Sequence, residues 1–165
     1  MQQRITIDSK VNRMKVVINR CFGGFGLSPL ATVELAKRNG RECYFFGLGR
    51  EADGAITLDS YRGPLSMAEA EKEILVFAFD IPNPNEILRN RKDWHAMSHE
   101  EKSVSSNLYE KHKIDGRYGF ERHDPGLIAV VEHLGDKASG KHAKLEIVEI
   151  PDGVDYRIEE YDGNE

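Results

Sequence analysis

The chain has 165 residues, of which 31% are charged and 39% hydrophobic, with a formal net charge of −5 and only two cysteines. A chain of this length buries roughly two thirds of its unfolded surface without cross-links, so folding requires neither disulfides nor a metal. No apolar run approaches the roughly 20 residues of a membrane span, the acidic balance argues against direct DNA binding, and Cys21 and Cys43 without a leader-like segment point to a reducing cytoplasm.

The charge is unevenly spread: residues 1–50 carry a net of +6 and residues 121–165 a net of −7. Two readings stand, ends that attract each other in the fold or a basic face for an anionic ligand opposite an acidic one.

RITID at 4–8 alternates polar and apolar residues and predicts an edge strand. Val16, Val17 and Ile18 are consecutive apolar residues, the pattern of a strand covered on both faces. After Arg20-Cys21-Phe22 come Gly23, Gly24 and Gly26 around Phe25, where missing Cβ atoms permit positive φ and close backbone approach. Ser28 then caps a helix whose first residue is Pro29 and whose end is Asn39-Gly40 behind Lys37 and Arg38. Glu42–Gly47 is a β-rich aromatic run, so residues 14–47 read as a β-(Gly loop)-α-β unit with its two strands parallel.

Beyond it the pattern loosens. A short strand is predicted at 55–61, a helix from the capping box Ser66/Glu69 through Glu73, a buried strand at Ile74–Phe79, and a second capping box at Ser98/Glu101 before a helix reaching His112. Residues 48–120 thus read as an insertion, too sparse in apolar residues for its own core, within one domain covering 1–165. Asp124-Pro125 opens another helix with Leu127, Ile128, Val130, Val131 and Leu134 on its buried face and Gly135 at its end. Residues 144–150 and 154–160 alternate around Pro151-Asp152-Gly153, which predicts a C-terminal antiparallel hairpin. The expected class is α+β: a small mixed sheet, packed helices and that hairpin.

The segments MKVVINRCFGGFGLS at 14–28, RHDPGLIAVVEHLG at 122–135 and KLEIVEIPDGVDYRIEEYDG at 144–163 together resemble a family of small, mostly uncharacterised proteins encoded in phages and prophages. The resemblance implies a phage-side accessory role such as counter-defence in the host cytoplasm, and brings no established activity with it.

The chemistry centres on the glycine segment. Gly-Gly-Phe-Gly is neither a dinucleotide fingerprint nor a Walker loop, and no Lys-Ser/Thr follows it, which argues against a nucleoside triphosphatase. One reading is a tight turn that docks Phe22 and Phe25 into the core. The other is a ligand loop of Arg20, Cys21, Phe22, Gly23, Gly24, Phe25, Gly26 and Ser28, in which Arg20 neutralises charge, Phe22 or Phe25 stacks on a base, and the N–H groups near Ser28 bind a phosphate. Arg122 and His123 beside a helix start form a candidate anion clamp. A thiol nucleophile at Cys21 with His123 as base needs the fold to bring the two together. His95 and His99 have a metal-pair spacing that the cap at Ser98 disrupts. The sequence-level conclusion is a non-enzymatic binding protein for a small anionic ligand such as a nucleotide signal, without catalytic residues, metal or cofactor. The alternatives are an inhibitor that docks a host protein through the acidic terminus and, third, a nucleotide-processing enzyme. Self-association stays open.

Overall fold

The computed structural model describes residues 12–88, 91–117 and 119–165; the strand predicted at 4–8 lies outside them. The fold is α+β. Its elements in order are β1 (Arg13–Asn19), α1 (Pro29–Arg38), β2 (Tyr44–Arg50), β3 (Ile56–Leu65), α2 (Met67–Ala70), β4 (Phe77–Phe79), α3 (Pro84–Ile87), α4 (His99–His112), α5 (Pro125–Leu134) and β5 (Leu145–Pro151). No helix among the described residues is long and apolar enough to cross a membrane.

The strands form two antiparallel sheets instead of one mixed sheet. β1 pairs with β5, from Arg13 opposite Pro151 to Asn19 opposite Leu145, and β2 lies between β3 and β4. The expected parallel pairing of β1 with β2 is therefore not made. After α1 the chain crosses into the second sheet, because the open edge of β1 is already engaged: Val17 N–H donates to the Arg122 carbonyl at 2.8 Å and Asn19 N–H to the Glu165 carboxylate at 2.8 Å. Closing an edge in this way removes its exposed donors.

The C-terminal antiparallel pair has β1 as the partner of β5, whereas residues 154–160 carry no strand. The tight reversal comes later, at Tyr161–Asn164, where Tyr161 and Asn164 exchange backbone hydrogen bonds of 2.9 and 3.1 Å. Asp162 and Gly163 there have φ of +50° and +86°, the sign pattern of a type I′ turn, for which Asp-Gly is a favoured pair.

Helix ends follow the sequence closely. Ser28 accepts the Ala31 N–H, Asp124 accepts the Leu127 N–H, and both Ser66/Glu69 and Ser98/Glu101 form reciprocal capping boxes. The predicted strand at Ile74–Phe79 shrinks to Phe77–Phe79, and Ile74 is 96% exposed.

Two kinds of core result. Val17, Leu145, Leu27, Ala31, Leu35, Leu127 and Val130 make an aliphatic core from the two ends of the chain. The middle has aromatic packing of its own around Phe46 and Phe79, with Tyr61, Phe77 and Tyr109 against them, and a smaller cluster of Phe45, Leu65 and Ala70. Within 48–120 the rings of Tyr61, Phe77, Phe79 and Tyr109 pack with Phe46 of β2, so the segment's apolar residues join a cluster that begins outside it. Helix α1 joins the two, with Ala31 and Leu35 in the aliphatic core and Val33 against the Phe45 cluster. A polar node reinforces the middle: Asp80 accepts from Arg41 Nη2 at 2.9 Å and lies 2.8 Å from His112 Nδ1. The opposite charges of the two ends meet in the fold, in the pairs Lys15 with Glu132 and Arg20 with Glu146.

Candidate functional site

The glycine loop leaves β1 at Asn19 and enters α1 at Ser28. Its glycines first serve backbone packing. A Cβ on Gly23 would fall on the His142 carbonyl, and one on Gly140 would lie 2.9 Å from the Gly26 carbonyl oxygen, so the 139–143 turn lies directly against the loop. Gly140 N–H donates to the Gly26 carbonyl at 2.8 Å and Leu27 N–H to that of Gly116 at 2.8 Å. Among the described residues, no backbone N–H from Cys21 to Gly26 donates to a protein acceptor. Ser28 is occupied as a cap, its hydroxyl donating to the Lys137 carbonyl at 2.6 Å.

The loop has two faces. On one, Gly23, Gly24, Phe25, Gly26 and Leu27 form a wall of an open cleft of about 400 Å³, within the size range of small-ligand pockets. Ile74, Leu75, Val76 and Phe77 stand opposite, and the segment 113–117 lines it between Ala78 and Leu27. Arg117, Lys141 and His142 also line the cleft. Their side chains make no ion pair or hydrogen bond among the described residues, whereas Lys113 is held by Glu110 at 2.9 Å. Those three basic residues escaped the sequence reading; the only local signal was Gly116-Arg117 and Gly140-Lys141-His142, cations next to chain reversals.

On the other face lie Asn19, Arg20 and Arg122, gathered around the C-terminal segment. Asn19 is fully buried; its side-chain amide donates to the Cys21 and Gly163 carbonyls at 2.7 and 2.6 Å and its Oδ1 accepts the Lys144 N–H at 2.8 Å. Arg122 forks onto Glu165 at 2.9 and 2.6 Å, and Arg20 Nη1 donates to the Glu165 backbone oxygen at 3.2 Å. The guanidinium of Arg122 stacks 3.5 Å above the Phe25 ring, a favourable cation–π arrangement. A polar Asn19 ending the run Val16-Val17-Ile18 was the one sequence signal for this cluster.

The predicted site residues therefore divide. Gly23, Gly24, Phe25 and Gly26 line the cleft. Arg20 and Arg122 are on the far side of Phe25 and already paired. Phe22 is 64% exposed, so it is no core anchor; Phe25 is the ring that packs, at 5.7 Å from Phe120. Cys21 and His123 do not meet. The Cys21 thiol donates to the His142 carbonyl at 2.9 Å, while His123 Nδ1 is 2.7 Å from the Tyr156 hydroxyl. Burial, with the Glu121 carboxylate nearby, holds the Tyr156 phenol above its usual range despite Arg122. Burial likewise pushes the Cys43 thiol up to about 12, against the opposing pull of Arg41, which leaves it inert as a nucleophile at neutral pH. His99 opens α4 and His95 lies in the 3-10 turn before its cap, so the two share no helical face.

No known protein-family model matches the chain, and neither a curated protein nor a solved structure is detectably similar to it.

Proposed function

We propose that this protein is a non-enzymatic binding protein that captures a small anionic ligand, of the nucleotide class, in the glycine-loop cleft. The observation that carries the reading is the placement of Arg117, Lys141 and His142, without protein partners among the described residues, around a cleft walled by a glycine loop. Arg117 and Lys141 supply charge-assisted hydrogen bonds to phosphate oxygens, with the His142 ring beside them. The opposite wall of Ile74, Leu75 and Phe77 supplies apolar contact for a flat ring. Sequestration needs affinity alone, which fits a phage accessory protein acting against a nucleotide signal in host defence.

Titration calorimetry of the purified protein against mono-, di- and cyclic nucleotides tests this. Binding is expected for at least one of them, weakened about tenfold or more by Arg117→Ala through loss of a charged hydrogen bond. Uniform absence of heat at high protein concentration would sink the reading.

One observation favours a second reading, inhibition of a host protein. After Pro151 the acidic segment leaves the sheet, with Val154 51% and Tyr161 80% exposed among its carboxylates. A stoichiometric host partner retained by the Arg117→Ala protein and lost on charge reversal of Glu159 and Glu160 supports it; retention after reversal counts against it.

A further inference from the structure

We propose that Asn19, Arg20 and Arg122 form a second anion site, on the face of the loop away from the cleft, which the chain keeps filled with the carboxylate of Glu165 and which takes a small phosphate or carboxylate ligand when that side chain swings out. This site shares Phe25 and Gly24 with the cleft wall but takes its charge from Arg122 instead of Arg117, Lys141 and His142, and it does not depend on what the cleft binds.

The donors are arranged as an oxyanion receptor. Both Arg122 nitrogens and the Asn19 N–H converge on one carboxylate, at 2.9, 2.6 and 2.8 Å. Bidentate forks of this kind suit phosphate as well as carboxylate. Contacts independent of Glu165 hold the receptor: the Phe25 ring beneath the guanidinium, the 3.4 Å approach of Arg122 Nη1 to the Val17 carbonyl, and the strand that fixes Asn19. With Glu165 removed, Arg122 is left as a mostly buried cation, its side chain only 20% exposed, without its counter-charge. That is a strong drive to take up another anion.

The occupant is held at its tip, where Glu165 N–H also donates to the Asn19 carbonyl at 2.8 Å and the Asn19 amide to the Gly163 carbonyl at 2.6 Å, but the chain leading to it is not anchored by strand pairing. Glu165 is delivered by the Tyr161–Asn164 reversal at the end of a segment, 154–160, that pairs with no strand. Its side chain is 4% exposed, yet beside it the Asn164 Oδ1 is buried with no hydrogen bond, so the seated segment carries an unmet polar group. Gly163 rests on the loop so closely that a Cβ there would lie 2.7 Å from the Phe22 carbonyl oxygen and still closer to the Gly24 nitrogen. Release of the segment therefore uncovers Gly24 N–H together with the Arg122 fork, and a phosphate has oxygens enough for both.

The experiment is calorimetric titration of inorganic phosphate and pyrophosphate, at matched ionic strength, into the wild-type chain, Glu165→Ala, Glu165→Ala/Arg122→Gln and Glu165→Ala/Arg117→Ala. Glu165→Ala is expected to bind pyrophosphate about tenfold or more tightly than wild type, because an internal competitor has been removed. Arg122→Gln should erase that gain and Arg117→Ala should leave it intact. Equal affinity in wild type and Glu165→Ala, survival of the gain in the Arg122→Gln background, or its loss in the Arg117→Ala background each overturns the proposal. The wild-type chain provides a second measurement, by hydrogen exchange, that does not depend on how Glu165→Ala folds. Saturating pyrophosphate should accelerate exchange of the Asn164 and Glu165 amides, and unchanged rates would overturn the proposal equally.

Discussion

The half of the molecule built from the two chain ends and the half built from the middle reach stability by different means. In the first, β1, β5, α1 and α5 enclose small aliphatic side chains that meet across more than a hundred residues of sequence, as Val17 meets Leu127 and Leu145. In the second, Phe79 packs against Phe46, Tyr61 and Tyr109 at centroid distances of 5.9, 5.0 and 5.7 Å, tilted or edge-on. Aliphatic packing spreads the energy over many similar contacts, whereas an aromatic hub concentrates it in a few rings. The middle half is therefore the one that a single substitution damages most.

Phe79→Ala is accordingly the severest test, with an expected loss of about 3–5 kcal/mol in urea unfolding and a faster hydrogen exchange confined first to β2, β3 and β4. Protection lost equally in β1 and β5 would show that α1 welds the halves into one cooperative unit. Asn19→Ala comes next in the end-built half. It removes the partner of the buried Gly163 carbonyl and of the Lys144 N–H, at roughly 2–3 kcal/mol for groups left unsatisfied, and is checked by the shift in urea midpoint.

A smaller effect separates the halves by pH. Burial alone would raise the Asp80 carboxyl, but hydrogen bonds from His112 and Arg41, with their charges, outweigh it and hold the group below its ordinary value. The unfolded chain then takes up the proton first as pH falls. The stabilisation is fully present above the ordinary aspartate range near about 3.9 and is lost as pH falls through the folded-state value. The stability gap between wild type and Asp80→Asn, read from urea midpoints, is expected to shrink on acidification from about pH 5 downward. Smallest of all are the caps: Ser66→Ala and Ser98→Ala should each cost about 1 kcal/mol, visible as local fraying of α2 or α4 in hydrogen exchange.

These two halves were also unequally legible in the sequence. Caps at Ser28, Ser66, Ser98 and Asp124 are written within four residues, because the side chain and the N–H it satisfies are neighbours in sequence. Strand partnership is not local. Nothing near Lys15 announces that β5 rather than β2 lies beside it, and the decision rests on which edge the Arg122 backbone and the Glu165 side chain already occupy. Alternation at 154–160 imitates a strand, and the chain turns at both Asp-Gly pairs, 152–153 and 162–163, without pairing the residues between them as a strand. For the candidate site, the glycines were legible as a place of close backbone approach, but the approaching group is the chain itself on both sides, at His142 and at Gly163. Arg117 and Lys141 reach the cleft only through the packing of the 113–117 and 139–143 segments, information no single window contains.

The 113–117 segment has a consequence of its own. Ile114 N–H is bonded to the Ala78 carbonyl at 2.8 Å and the Gly116 carbonyl to Leu27 N–H at 2.8 Å, so a few residues of extended backbone tie one wall of the cleft to the other. The segment is a spacer, and its length is the gauge of the cleft. Adding or deleting a residue there would shift the two anchor points relative to each other and change the width between them. In a chain with this architecture, cleft width is thus a matter of loop length.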